Sequence, residues 1–366
     1  MSFPKQKQKL RVSITSPSFD PSVNVSGVSK IVHEICGALG DRITFVHLQI
    51  GSMTGKNIQF RTLRSIIQTV RSARSILFDR SEIFHSNTAL NPKSILRDLV
   101  LCAIAAASRK KILLHVHGGL YLDKPAGAGS KLLIELLFMI SSKIVVLSLT
   151  EKRNISIRFP RYSEKIEYLY NGISCRPDRT KRSYERAALV VGFVGRFVVE
   201  KGFDLFIEIS RCSFPFPVEF VAYGDGPLRA LLLEQSVRDK VHYGGTFNFR
   251  QTREVFEKLD LLALPSRAGE GMPMVIIEAM AMGCVPIATE LGSIREMMQN
   301  ETSGILIQHQ DDEQMIRGFV KAISSLGTSI SIRASLSRAA IDNFEKNFNI
   351  DGNAERLNQI YMSLVS

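Results

Sequence analysis

The sequence predicts an α/β protein with two Rossmann-like, doubly wound domains. Its 366 residues exceed what one ordinary hydrophobic core holds. Short apolar strand patterns alternate with helical patterns, as in parallel sheets covered by helices on both faces. The alternation stops in a polar, turn-rich stretch, Tyr170–Arg182, and then starts again. We therefore predict an N-terminal domain over residues 1–175, a C-terminal domain over 176–345 and a terminal helix over 346–366.

In each half, the strand patterns are separated by helical or turn-rich stretches. The predicted strands of the first half are Leu10–Thr15, Ile43–Gln49, Glu82–Ser86, Lys111–His115 and Lys143–Ser148, and its predicted helices are Val28–Leu39, Gln59–Phe78, Pro92–Ala107, Lys131–Ser141 and one beginning near Thr150. The predicted strands of the second half are Val190–Val194, Val218–Tyr223, Val241–Tyr243, Leu261–Leu264, Val285–Ala288 and Gly304–Ile307. Two helical stretches are expected to close the chain, the last at Gly352–Leu364.

Cysteine usage and charge restrict the setting and the partners. The five cysteines are scattered, odd in number and without a CxxC spacing, which is typical of a reducing cytoplasm. Residues 1–180 contain 27 Lys and Arg against 12 Asp and Glu, whereas residues 181–366 contain 20 against 23. The net charge of +12 therefore belongs to the first half, which is expected to meet a negatively charged partner. Nucleic acid, an anionic membrane surface and a phosphorylated acceptor are the alternatives.

The stretch Pro265–Gly283 carries the strongest functional signal. A predicted strand leads into a loop of small residues, and Pro273 is expected to open an apolar helix. The N–H groups of Gly271 to Met274 would then lie at the positive end of a helix dipole, which favours an anion. Two acids, Glu270 in the loop and Glu278 in the helix, are separated by seven residues. A buried carboxylate at Glu278 would need a ligand or a partner.

A second loop, Gly195–Gly202, follows the first strand of the C-terminal domain. Arg196 and Lys201 leave the carboxyl end of that strand, where open α/β sheets bind ligands. Two cations on one short loop can converge on a diphosphate, Arg with its fork and Lys as a point charge.

Two loops of the first domain also follow predicted strands. Gly27 precedes a helix and would let the backbone approach a phosphate closely. His117 belongs to the sequence His-Val-His-Gly-Gly, directly after the fourth strand.

Glu270-x7-Glu278 followed by Ala-Met-Ala-Met-Gly resembles the signature of retaining glycosyltransferases of family 4. The resemblance implies the GT-B fold, in which two Rossmann-like domains face each other across a cleft and the terminal helices pack back on the first domain. It also implies a nucleotide-diphosphate hexose, with UDP or GDP, as donor. One departure is Ser26, since the family usually has a second glycine there.

The resemblance assigns roles residue by residue. Arg196 and Lys201 match the cations on the donor diphosphate, Glu270 the acid on the sugar hydroxyls, Glu278 the acid on the ribose, and His117 a histidine at the transferred sugar. The other implied donor-binding residues are Gly27, Gly271, Met272, Pro273, Met274, Gly245, Thr246 and Phe247.

The chain is expected to use no metal and no cofactor. No two aspartates are separated by a single residue, so the D-x-D motif that holds a divalent cation in the other glycosyltransferase architecture is missing. In the family, the leaving phosphate is thought to take the acceptor's proton, and no enzyme nucleophile is needed.

The basic helix Gln59–Phe78 predicts contact with an anionic membrane. Its arginines are Arg61, Arg64, Arg71 and Arg74, and its apolar residues Leu63, Ile66, Ile67, Val70, Ala73 and Leu77 are expected to pack on the sheet. We expect a cytoplasmic enzyme, peripheral on the inner face of the membrane, with a glycan or lipid-linked acceptor, as in bacterial surface-polysaccharide or lipopolysaccharide assembly.

Two other functional interpretations stay open at the level of sequence. A sugar-nucleotide epimerase or hydrolase would use the same fold and donor. A non-catalytic anion-binding protein would use the basic half alone, although the first domain has no nucleic-acid motif with interleaved aromatics, so nucleic acid is not expected.

Overall fold

The computed structural model describes residues 9–20, 26–51, 58–119, 121, 126–177, 184, 186–234, 237, 239–268 and 270–366, and the side chains of 58–63 and 249 lie outside this description. The chain divides into two compact units. The first comprises residues 1–170 together with Ile350–Ser366, and the second comprises Asn171–Asn349.

The first unit contains a six-stranded parallel sheet with the strand order β2-β1-β3-β4-β5-β6. Its strands are β1 (Leu10–Ser16), β2 (Ile43–Gln49), β3 (Ile83–Thr88), β4 (Lys111–Val116), β5 (Lys143–Val146) and β6 (Ile166–Tyr168). The helices between them are α1 (Gly27–Leu39), α2 (Ile58–Phe78), α3 (Pro92–Ala107), α4 (Ala128–Ile140) and α5 (Leu149–Arg158), followed by a 3-10 turn over Pro160–Lys165.

The sequence accounts for this sheet through its apolar runs. Strand β4 reads Lys-Ile-Leu-Leu-His-Val, and everything after its first residue is buried, as expected for a strand covered on both faces. On one face, Phe84 and Leu114 join Phe138 of α4 in the main core of the unit.

The second unit contains another six-stranded parallel sheet, in the order β12-β11-β10-β7-β8-β9. Its strands are β7 (Leu189–Val194), β8 (Val218–Tyr223), β9 (Val241–Gly245), β10 (Leu261–Leu264), β11 (Val285–Thr289) and β12 (Ile305–Ile307). Its helices are α6 (Phe203–Arg211), α7 (Thr252–Glu257), α8 (Met274–Ala281), α9 (Ile294–Met297), α10 (Asp312–Thr328) and α11 (Ile330–Asn347). Shorter 3-10 turns lie at Val199–Lys201, Pro227–Leu233 and Phe249–Gln251.

The core of the second unit is aromatic. Phe197 and Phe203 stack with ring centroids 3.9 Å apart, and Phe193 meets Phe203 edge-on at 5.1 Å. These rings attach the loop after β7 to the start of α6, so the loop that carries Arg196 and Lys201 starts and ends on buried anchors.

The last helix, α12 (Ile350–Val365), belongs to the first unit and packs against α1. Its buried Tyr361 hydroxyl lies 2.6 Å from Nδ1 of His85 on β3. At its surface, Glu355 pairs with Arg42. Three helices, α10 to α12, close the chain where the sequence predicted two helical stretches, because the chain turns at Ser329, whose hydroxyl caps α11.

Helix α2 corrects one expectation. The apolar residues that were expected to pack on the sheet are exposed, from 42% for Ile67 to 62% for Val70, and Phe78 at the end of the helix is 78% exposed. The helix instead buries Gln68, Ser72 and Ile76. The physical reason is its position, since α2 packs only beside the edge strand β2 and helix α3, which cover one narrow stripe.

Two further properties of the chain bear on its setting. All five cysteines are free thiols. Within the described residues, every helix is too short or too polar to cross a lipid bilayer.

Candidate functional site

The site in the second unit is built from two neighbouring loops. Strands β7 and β10 pair in the middle of the sheet, so the loops at their carboxyl ends, Gly195–Gly202 and Pro265–Pro273, lie side by side. Gly202 has φ +69°, and a Cβ added there would overlap the carbonyl oxygen of Pro265. Only glycine permits both this backbone conformation and this contact.

This contact brings Lys201 and Glu270 together. Lys201 Nζ lies 2.6 Å from Oε2 of Glu270, and the Ser266 hydroxyl donates to Oε1 of the same carboxylate at 2.5 Å. Glu270 is 5% exposed, whereas the Lys201 side chain is 23% exposed. A buried carboxylate is thus held by one cation and one hydroxyl, at the carboxyl edge of the sheet where ligands bind in α/β folds.

Arg267 clamps the same loop, and the sequence did not reveal it. Its guanidinium makes bidentate contacts at 2.8 Å with Asp204 at the start of α6 and with Asp312 at the start of α10. Its backbone N–H donates to the Glu200 carbonyl oxygen at 2.9 Å, beside Lys201. Hydrogen bonds from Arg267 hold the pKa of Asp312 below its ordinary value. The clamp fixes the two loops relative to each other.

Arg196 is placed differently from Lys201 on the same loop. It is exposed, and among the polar contacts of the described residues none uses its guanidinium. The turn after β8 supports this part of the loop from below, where Phe197 N–H donates to the Asp225 carbonyl oxygen at 3.0 Å. Arg196 is therefore available to an anion at this edge.

Helix α8 begins one residue later than predicted. Pro273 occupies the N-cap position of the helix rather than its first turn, with ψ 116° in the extended region. In the described part of the chain, the N–H groups of Gly271, Met272 and Met274 donate no intramolecular hydrogen bond. Their free donors lie at the positive end of the helix dipole. Glu278 is buried on the same helix.

The segment Gly245–Phe247 lies at the edge strand β9, two strands away from β7. The Gly245 carbonyl oxygen accepts from Gly224 N–H at 2.9 Å, and the Phe247 ring meets Tyr223 edge-on at 6.0 Å. Thr246 is exposed. The structure does not bring these residues into contact with Glu270.

In the first unit, the predicted phosphate loop has a capped helix. Helix α1 begins at Gly27, and the Ser26 hydroxyl accepts from Ser29 N–H at 3.1 Å. The serine that replaces the expected glycine therefore satisfies one of the donors that a phosphate would use. Gly27 itself is exposed, and residues 21–25 lie outside the described part of the chain.

His117 follows β4 at the carboxyl edge of the first sheet and is half-buried. Its Nε2 lies 2.6 Å from Oδ1 of Asn87 on β3, and its ring packs at 4.1 Å on that of His115. Burial lowers the pKa of His117 to about 3, so its imidazole is neutral near pH 7. His115 in turn lies 3.2 Å from His85, and burial also lowers their pKa values.

The structure thus joins Lys201 directly to Glu270 and places Arg196 on the same loop. Glu278 and the helix start lie one loop further along the same sheet edge, while Gly27 and His117 belong to the other unit. Among the described residues, no group of three or more His, Cys, Asp and Glu side chains is arranged as a metal site.

The fold defines the class to which the chain belongs. Its structure superimposes on Anabaena HepE in complex with UDP and glucose, with a TM-score of 0.75, 16% identity, and coverage of 97% of this chain and 100% of HepE. It superimposes on the sucrose-phosphate synthase of Thermosynechococcus elongatus with a TM-score of 0.77 and 17% identity, covering 98% and 99% of the two chains. The fold is GT-B, as the sequence predicted.

The family follows from sequence. Residues 188–325 match the family model of glycosyl transferases group 1, so the second unit is a domain of that family. Over 193 residues the chain is 28% identical to a phosphatidylinositol N-acetylglucosaminyltransferase protein of Arabidopsis thaliana, covering 50% of this chain and 42% of that protein. The chain spans about half the length of the curated relatives that it matches. The narrower assignment to family 4 stays a prediction.

Proposed function

We propose that this protein is a retaining glycosyltransferase that moves a hexose from a UDP- or GDP-linked donor to an acceptor hydroxyl. The observation that carries the proposal is the Lys201–Glu270 pair, held at the carboxyl edge of the central strands of a group 1 glycosyltransferase domain. A cation for a diphosphate and a carboxylate for sugar hydroxyls meet there within one hydrogen bond. HepE, which shares the fold, is complexed with UDP and glucose.

The roles follow from charge and exposure. Arg196 is exposed and unpaired among the described contacts, so it is suited to meet the donor diphosphate first. Lys201 would turn from Glu270 to the diphosphate, which frees the carboxylate to accept hydrogen bonds from the sugar. The free N–H groups at the start of α8 add donors to the same anion. Glu278 is assigned to the ribose, Gly245 to Phe247 to the base, and His117 to a sugar hydroxyl.

The proposed step breaks the bond between the anomeric carbon and the phosphate oxygen and forms a bond from the acceptor oxygen to the same face of that carbon. The acceptor's proton passes to the leaving phosphate, so the products are the glycoside and the nucleoside diphosphate. Arg196 and Lys201 would stabilise the charge that develops on the diphosphate. We propose that no divalent metal is needed, because two cations and a helix N-terminus supply the positive charge.

Sugar transfer from a panel of UDP- and GDP-sugars tests the proposal. Arg196→Ala and Glu270→Gln should each lower kcat/KM by at least about 100-fold, because each removes a charge next to the reacting group. Arg317→Ala is the matched control, since that arginine makes an exposed pair with Glu313 on α10. Transfer at the wild-type rate in both site variants would refute the assignment. Activity abolished by EDTA would refute only the metal-free part.

A lipid-linked acceptor on an anionic membrane is the second part of the proposal. The name of the Arabidopsis relative states that it acts on phosphatidylinositol, a lipid. Helix α2 supplies the surface that a membrane contact requires. Ile66, Val70 and Leu77 lie on one exposed arc of the helix, and Arg71 and Arg64 lie at its border. Apolar side chains flanked by arginines suit the boundary between lipid headgroups and acyl chains. The side chain of Arg61 lies outside the described residues.

Flotation with vesicles tests the membrane contact. Replacing Arg64, Arg71 and Arg74 by Glu should weaken binding to anionic vesicles by more than roughly 100-fold, at about 1 kcal/mol for each arginine lost. Replacing Ile66 and Val70 by Ser should weaken it without changing the charge. Arg338→Glu, in the second unit, is the control. Equal binding by neutral and anionic vesicles would contradict the contact, and it would leave the proposed transfer reaction untouched.

A further inference from the structure

Three polar residues form a row at the carboxyl edge of the first sheet. Thr15 lies near the end of β1, Asn87 near the end of β3, and His117 directly after β4, and these three strands are neighbours in the sheet. Thr15 and Asn87 are buried, while His117 is half-buried. The row therefore runs from the interior of the sheet edge to a ring that a ligand can reach.

The hydrogen bonds of this row fix the direction of each donor. Asn87 N–H donates to Oγ1 of Thr15 at 2.9 Å, and its side-chain amide lies 2.7 Å from the carbonyl oxygen of Thr15. A carbonyl oxygen only accepts, so the amide atom that faces it is the NH₂ group. The other atom, Oδ1, then faces Nε2 of His117 at 2.6 Å. An amide oxygen also only accepts, so Nε2 of His117 carries the proton.

The remaining ring nitrogen follows from the charge of the ring. Burial lowers the pKa of His117 to about 3, so the neutral ring has one proton, and Nδ1 has a free lone pair. No hydrogen bond of the described residues occupies Nδ1. The backbone holds the ring in place, because His117 N–H donates to Thr88 at 2.8 Å and a Cβ added at Gly119 would overlap the backbone of Leu90.

We propose that Asn87 is a positioning residue that keeps His117 in the Nε2–H tautomer, so that Nδ1 accepts a hydrogen bond from a substrate hydroxyl. The inference rests on the proposed function for its substrate, but the tautomer itself does not. A neutral acceptor nitrogen binds a hydroxyl and disfavours a phosphate oxygen, which would place two lone pairs against each other. This edge of the first unit therefore selects sugar or acceptor hydroxyls, and phosphate recognition belongs to the second unit.

The tautomer can be measured on the full chain labelled with ¹⁵N-histidine, with His117→Gln used to assign the signals. The inference expects a protonated Nε2 and an unprotonated Nδ1 in the wild-type protein at pH 7. Asn87→Leu should give a mixture of tautomers and lower kcat/KM for transfer roughly tenfold, as for one lost hydrogen bond. Asn154→Leu, an exposed position on α5, is the control.

Asn87→Asp separates positioning from a merely structural role. A carboxylate still accepts from Nε2–H, so the tautomer should be retained, while the added negative charge raises the pKa of His117. Its activity should approach the wild-type value at high pH and be lost at a higher pH than in the wild type as the solution is acidified. A wild-type signal from protonated Nδ1 would overturn the inference whether or not any variant folds. The predicted tautomer without sugar transfer would refute the proposed function alone.

Discussion

Removing Lys201 should destabilise the protein more than neutralising its partner Glu270 does. The two charges lie 2.6 Å apart, which corresponds to an attraction of about 6 kcal/mol at an effective dielectric constant of 20. Desolvation of the buried carboxylate offsets part of this attraction. Lys201→Met leaves a 5% exposed carboxylate with only the Ser266 hydroxyl, and we expect a cost of about 3 kcal/mol.

Glu270→Gln leaves a milder defect. The amide oxygen still accepts from Lys201 or from Ser266, and the lysine, whose side chain is 23% exposed, can turn towards water. We expect a cost of about 1 kcal/mol, near the ordinary value of one hydrogen bond. At about 2–4 °C of Tm for each kcal/mol, the two variants should melt about 6–12 °C and about 2–4 °C below the wild type.

Thermal unfolding of the two single variants and of the double variant measures this asymmetry. The double variant should be more stable than the sum of the single costs predicts, because the pair is coupled. Lys258→Met is the control, since its pair with Glu254 is exposed, and it should leave Tm unchanged. A larger loss of Tm in Glu270→Gln than in Lys201→Met would refute the reasoning.

The remaining predictions concern pH, one glycine and the arginine clamp. The three buried histidines of the first unit have lowered pKa values, so below about pH 6.5 the unfolded chain takes up protons that the folded chain does not. Stability should fall with acidification by up to about 4 kcal/mol per pH unit, which Tm between pH 7.5 and 5.5 would show, and His85→Asn should flatten the slope. Gly202→Ala should lower Tm and abolish the thermal shift by UDP, whereas Gly37→Ala, which meets no neighbouring atom, should do neither. Arg267→Lys should cost about 2 kcal/mol of stability and weaken donor binding, because lysine cannot make bidentate contacts, whereas Arg317→Lys should be neutral in unfolding and ligand-binding measurements.

Local sequence patterns were sufficient for the fold and for part of the site. Strand patterns separated by helices or turns predicted both parallel sheets, and the position of Lys201 and Glu270 after strands put them at a carboxyl edge. Their direct contact also needs β7 and β10 to be neighbours in the sheet, which no local pattern states. Their chemical roles stay predictions.

Long-range partners could not be predicted in the same way. Arg267 pairs with acids that are 63 and 45 positions away, so the sequence gives no sign that one guanidinium joins three elements. The apolar stripe of α2 failed for a related reason. Helical periodicity shows that a helix has an apolar side, but the neighbouring elements decide whether anything covers that side, and α2 lies at a sheet edge.

The same lysine therefore serves two purposes that must be separated by experiment. A carboxylate buried deeply enough to hold a sugar needs a cation when no ligand is present, and Lys201 supplies that cation. Loss of activity in Lys201→Met would consequently mix a folding defect with a binding defect. Arg196 lacks this complication, because it is exposed and makes no polar contact within the described residues. A variant at Arg196 that melts like the wild type but no longer binds a nucleotide diphosphate would assign the anion site to this loop on function alone.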